Sequence, residues 1–131
     1  MIIAGAGVPD ELAWRLQDLG VMIEQVPLDV ESHVDLHHAL RALAARGITR
    51  VFSEGGPKVA ARLIALQLAD EVALITAKKP LGRAGVAALD PDARTALLDR
   101  SRYRPVETLD YGPDTMRLWE RTDGSRRAVP T

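Results

Sequence analysis

Apolar positions in this chain fall into short runs separated by glycine and proline, and their period changes along the sequence. Residues 1–4 (MIIA) read as a buried strand closed by Gly5-Ala6-Gly7. Pro9 suits the first turn of a helix, where a missing N–H costs nothing, and Asp10 and Glu11 suit its positive end. Leu12, Leu16 and Leu19 then recur at helical spacing, and Gly20 stops the helix. Residues 21–26 (VMIEQV) predict a second strand, closed by Pro27. Asp35 is placed to cap the next helix, in which Leu36, Leu40 and Leu43 share a face before Gly47. A third strand is predicted over Ile48–Ser53, a tight turn at Glu54-Gly55-Gly56, a helix from Pro57 to about Leu68, and a strand over 72–77.

Strand and helix alternate in this way up to residue 77, which predicts right-handed crossovers and an α/β domain. The strands near 1–4, 21–26, 49–53 and 71–77 are expected to be mainly parallel. After residue 80 the pattern changes: Pro80, Gly82 and Gly85 mark a loop, and 90–99 reads as a short helix. Two alternating segments, 102–109 and 114–121, flank Tyr111-Gly112-Pro113 and predict an antiparallel hairpin. A polar tail begins near Asp123. A chain that opens inside an apolar strand reads as a domain entered part-way.

Composition narrows the function classes. The 131 residues are 47% hydrophobic but only 4% aromatic, so the core must be aliphatic. Seventeen basic and eighteen acidic side chains give a net charge of -1, which argues against a nucleic-acid surface. No apolar run is long enough for a membrane span, and a signal peptide's pattern is missing from the first residues. With no cysteine, disulfide and thiolate chemistry are excluded. A cytoplasmic protein is expected.

The strongest local signal is Ser53-Glu54-Gly55-Gly56-Pro57-Lys58, between a predicted strand and a helix. Ligands of open α/β sheets gather at the carboxyl ends of strands. Two residues without Cβ let a bulky group approach the peptide N–H groups, and a helix N-terminus favours phosphate. Lys58 and Arg62, four apart, add charge on one side of that helix. Glu54 stands where a residue binding hydroxyls would sit, and it reads equally well as a solvated turn residue. Gly5-Ala6-Gly7 lacks the third glycine of a dinucleotide fingerprint and reads as a turn. His33, His37 and His38 have no convincing carboxylate partner by spacing, so no metal site is expected. Ser53 lacks a nucleophile elbow, and no residue is assigned a catalytic role.

Taken together, DLHHALRALAARGITRVFSEGGPKVAARLI, LADEVAL and KKPLGRAG resemble the C-terminal reductase domain of the bifunctional riboflavin biosynthesis deaminase–reductase. Weaker likeness extends upstream through IIAGAGVPDELAWRLQDLGVMIEQVPLD and downstream through YRPVETLDYGPDTMRLW. The resemblance implies a three-layer, dihydrofolate-reductase-like α/β fold with a mostly parallel sheet and a C-terminal antiparallel pair. It also implies binding of NADPH and reduction of a phosphoribosylaminopyrimidine, 5-amino-6-(5-phosphoribosylamino)uracil, at its ribose to give the ribityl chain. By position Glu54 would contact substrate, and Gly56, Pro57, Lys58, Val59, Ala60, Ala61 and Arg62 would wrap the cofactor.

The sequence departs from the family at LGRAG, which lacks paired glycines, and at Lys78-Lys79, where an apolar segment is commoner. The family's upstream part, which completes the nicotinamide site, has no counterpart here. Hydride transfer needs carbons held about 3–4 Å apart by both halves of a site, so activity is expected from a longer chain or with a partner. A homodimer is expected, with Leu66, Leu68 and the strand around Trp119 as candidate surface. A non-catalytic relative that folds and dimerises is the alternative.

Overall fold

A computed structural model describes residues 1–122; the polar tail read from about residue 123 lies outside the described residues. The chain divides into two compact units, Met1–Phe52 and the part from Ser53 onward.

The first unit contains β1 (Ile2–Gly5), α1 (Asp10–Asp18), β2 (Ile23–Val26) and α2 (Leu36–Ala45). β1 and β2 pair in parallel, from Ile2 opposite Ile23 to Gly5 opposite Val26, with α1 as the crossover. Both helices end as glycine placement predicts. Gly20 and Gly47 take positive φ, at 77° and 81°. The N–H groups of Gly20 and Val21 close on the Gln17 and Leu16 carbonyls, and those of Gly47 and Ile48 close on Ala44 and Leu43. At the start of α2 the Asp35 carboxylate accepts the His38 N–H at 3.0 Å. That donated bond is the main reason its carboxyl group is held below the usual carboxylate range.

The face of α1 differs from the expectation. Ala13 is buried and Leu16 half-buried, whereas Leu12 and Leu19 are exposed. A spacing of three and four fits two overlapping stripes on a nine-residue helix, and packing selects the one carrying the smaller residue.

The second unit contains α3 (Pro57–Ala65), β3 (Glu71–Ala77), α4 (Pro91–Leu98), β4 (Tyr103–Tyr111) and β5 (Asp114–Arg121). Its three strands lie in the order β3-β5-β4, and both ladders are antiparallel. The hairpin between β4 and β5 turns at Gly112, whose φ of 61° suits a residue without Cβ, followed by Pro113. Pro105 cannot donate to a ladder, and it sits in β4, an edge strand, beside a register shift between Pro105 and Glu107.

Two strand expectations are corrected. Residues 48–53 form no strand, and β3 pairs antiparallel with β5 instead of joining a parallel set. β-propensity marks a segment that can accept a neighbour, but only a paired ladder satisfies its N–H and C=O groups. Glu71–Ala77 meets a continuous seven-residue register in Asp114–Glu120. Ile48–Ser53 meets none among the described residues. Among the described residues parallel pairing is therefore confined to β1 and β2, while the α/β class and the C-terminal antiparallel pair are as expected.

The core of the second unit is Ala61 and Ile64 of α3, Ala93, Ala96 and Leu97 of α4, Tyr103 and Trp119, with Val72, Leu74 and Leu89 packed against it. Trp119 is thus core, not dimer surface, whereas Leu66 is exposed. The carbonyls at the end of α3 are taken up by side chains. Tyr103 Oη donates to Ala69 O at 3.2 Å and to Ile64 O at 3.4 Å. Arg102 donates to the Ala65 carbonyl. Arg121 donates to Gln67 O at 2.6 Å and pairs with Asp70 at 2.9 Å. Cations at a helix C-terminus also favour the helix dipole.

The α3 terminus has the same closure as those of α1 and α2, but with Gln67 at φ 53° where they carry glycine. A side chain in the left-handed region is strained. Gln67→Gly is expected to raise stability by about 0.5–1 kcal/mol, since the carbonyl that receives Arg121 is backbone and survives the change. Urea titration checks this; a lower midpoint would show that the side chain contributes more than its backbone strain costs.

Candidate functional site

The Glu54–Arg62 segment lies wholly in the second unit. Ser53, Glu54 and Gly55 are exposed and irregular, and Gly56 is the residue from which α3 starts, with φ -59° and ψ 174°. Pro57 occupies the first helical turn, as its fixed φ favours. The Gly56 carbonyl accepts the Val59 and Ala60 N–H groups at 3.1 and 3.2 Å, which leaves the Gly55, Gly56 and Lys58 N–H groups outside the helix ladder. No side chain caps this end.

Neither glycine is required by backbone strain. A Cβ on Gly55 would make ordinary contact with Val59 and Ser53, and a Cβ on Gly56 would meet nothing within 4 Å. What Gly56 leaves open is space in front of a helix N-terminus.

Along α3 the proposed cofactor segment separates by side. Lys58 and Val59 are exposed, Pro57, Ala60 and Arg62 are half-buried, and Ala61 is buried in the core. The Ala61 side chain therefore faces Ile64 and the α4 alanines, and a ligand at this helix would meet Lys58 and Val59 first. The family model of the RibD C-terminal domain matches residues 1–116.

The chain belongs to this family.

No curated protein matches it. Membership in the RibD C-terminal family accords with a dihydrofolate-reductase-like α/β fold, and the Glu54-Gly55-Gly56 segment is an irregular stretch leading into α3. Among the described residues no helix is long and apolar enough to cross a membrane.

Other residues singled out in the sequence fall elsewhere. Gly5-Ala6-Gly7 makes a turn, with Gly7 at φ 96° and the Ala6 N–H on the Val26 carbonyl at 2.8 Å. His38 does have a carboxylate neighbour, Asp35 at 3.1 Å, and His33 lies 3.5 Å from Glu31 and 3.9 Å from Asp29. Sequence spacing hid the last two contacts, which arise because Asp29 closes a tight loop by accepting the Glu31 and His33 N–H groups at 2.9 Å each. No group of three such residues suited to a metal occurs among the described residues. Little in the sequence marked the pair of grooves at the end of β3, where Lys78 and Lys79 of the following loop converge with Arg94 of α4 and Arg117 of β5. Only the Lys78-Lys79 doublet hinted at it.

Proposed function

We propose that this chain is an NADPH-dependent reductase domain acting on a phosphoribosylaminopyrimidine, 5-amino-6-(5-phosphoribosylamino)uracil, whose ribose becomes the ribityl chain. The observation that carries the reading is an exposed, irregular Glu54-Gly55-Gly56 segment opening an uncapped helix in a chain of the RibD C-terminal family. The turn fits the phosphate end of a dinucleotide: three N–H groups stand outside the helix ladder, Lys58 is exposed beside them, and the space beyond Gly56 is open. When bound, NADPH supplies the hydride; the protein's part is to orient and enclose. Glu54 would hold a substrate hydroxyl, and Gly56–Arg62 would hold the cofactor through backbone N–H groups and the outward side chains. A homodimer belongs to the same reading, because Ile48, Val51 and Phe52 leave an exposed apolar strip that pairs with no strand among the described residues.

Gly56→Val tests the turn. The backbone there is one any residue adopts, and no atom stands in the way, so the variant is expected to fold with a loss of at most about 1 kcal/mol. NADPH affinity by isothermal titration is expected to fall about tenfold, equivalent to about 1.4 kcal/mol. Glu54→Gln is expected to leave that affinity nearly unchanged. Detectable and equal NADPH binding by the parent and Gly56→Val would reduce the loop to a turn. A second reading, a non-catalytic relative that folds and self-associates, is favoured by one observation: the segment leading into the turn has no ladder to hold it among the described residues. Failure of the parent to bind NADPH would select it.

A further inference from the structure

Two adjoining grooves of about 540 and 260 Å³ meet at Thr76 and Ala77, where β3 ends. The larger has an apolar wall that includes Leu74, Leu81 and Leu89, with Lys79 and Arg94 on its lining. The smaller mixes polar and apolar surface and is lined by Thr76, Ala77, Lys78, Thr115 and Arg117. Register explains the second cluster: Thr76 lies opposite Thr115 and Leu74 opposite Arg117, so all four share one face of the sheet.

Among the described residues, four cations and no carboxylate line these grooves, although the whole chain carries a net charge of -1. Two acids stand beside the grooves by register: Asp114, opposite Ala77, and Asp110, opposite Thr115, whose hydroxyl it accepts at 2.9 Å. Several arginines elsewhere are engaged: Arg46 with Glu24, Arg104 with Glu120, Arg121 with Asp70, and Arg102 on a carbonyl. Among the described residues Lys78, Lys79, Arg94 and Arg117 form no such pair. Like charges gathered without a counter-ion raise the local potential, and a low-dielectric wall beside them focuses it on an arriving anion.

The geometry points to a binding site for a phosphate-bearing ligand with a planar, weakly polar body. Lys78, Arg117 and the Thr76 hydroxyl take the phosphate, and the ring lies against the leucine wall beneath Lys79 and Arg94. Charge-assisted bonds from a guanidinium and an ammonium are the strong kind for such a group. The site is distinct from Glu54–Arg62 and does not rest on the reductase reading, because its warrant is the uncompensated charge around the groove. A phosphorylated pyrimidine and the phosphates of NADPH share this chemistry, and the two sources are separable.

Isothermal titration at low ionic strength with uridine 5′-monophosphate and with NADPH, on the parent, on Lys78→Gln/Arg117→Gln and on Gly56→Val, tests the proposal. The double variant is expected to bind uridine monophosphate at least about tenfold more weakly, while Gly56→Val binds it as the parent does. A loss confined to NADPH in the double variant would also support the groove and assign it to the cofactor's phosphates. Lys79→Gln/Arg94→Gln provides an independent variant on the apolar side and is expected to weaken the same ligand. Among the described residues none of these four cations forms an ion pair, so thermal unfolding is expected to be unchanged, and a shared loss of binding cannot then be a loss of fold. Equal affinities in the parent and both double variants, or no binding of either anion by the parent, would overturn the proposal. The turn reading fails separately, through Gly56→Val and NADPH alone.

Discussion

Tyr103→Ala is expected to destabilise the second unit by about 3–5 kcal/mol, a large share of the about 5–15 kcal/mol that holds a typical domain folded. Tyr103 is fully buried, packed with Ile64, Ala61, Leu97 and Trp119. Around it α3 and α4 contribute mainly alanines, which cannot move in to fill a ring-sized void. Its hydroxyl adds a second effect, since it reaches the Ala69 and Ile64 carbonyls at 3.2 and 3.4 Å. These are long bonds, so Tyr103→Phe is expected to cost only about 1 kcal/mol. Urea unfolding of both variants separates ring from hydroxyl. Similar losses for the two would mean that the hydroxyl, by tying the end of α3 to β4, matters more than the packing. A loss below about 1 kcal/mol for Tyr103→Ala would mean that the cluster is not a tightly packed core.

Arg104→Met is expected to be the next most damaging, at about 2 kcal/mol. The Glu120 side chain is 7% exposed and accepts Arg104 Nη2 at 2.8 Å across the β4–β5 pair. Removing the guanidinium leaves a carboxylate where water is scarce. The figure is set below that for a fully buried pair because Arg104 is itself 53% exposed and its charge is partly screened. A double-mutant cycle with Glu120→Met isolates the pair and is expected to give a coupling of about 1 kcal/mol or more. Additive losses would show that the two residues stabilise the hairpin independently.

The candidate site was legible to an unequal degree. The start of α3 at Gly56-Pro57 could be read directly, because glycine and proline act on their own backbone and a helix start of this kind needs nothing from the rest of the chain. The role of each side chain along that helix could not. Ala61 and Val59 are both small and apolar, and only the arrangement of α4 and Tyr103 decides that one is core and the other exposed. The basic grooves were less legible still. Lys78, Lys79, Arg94 and Arg117 lie up to 39 positions apart in the numbering, and no local pattern joins them.

What this sequence determines by itself is where elements start and stop. Asp35 and Asp90 cap their helices, Gly20 and Gly47 close theirs, and Gly112 turns the hairpin. Each acts through its own dihedrals or through a bond to a residue three or four away, so the information is local. What only the tertiary structure decides is partnership. Ile48–Ser53 and Glu71–Ala77 both look like strands, and the second is one because β5 lies beside it in register. Leu12 and Ala13 both lie on plausible apolar faces of α1, and packing buries the alanine. Strand pairing and burial depend on residues distant in the chain, because a ladder needs a second strand and a core needs an opposing surface.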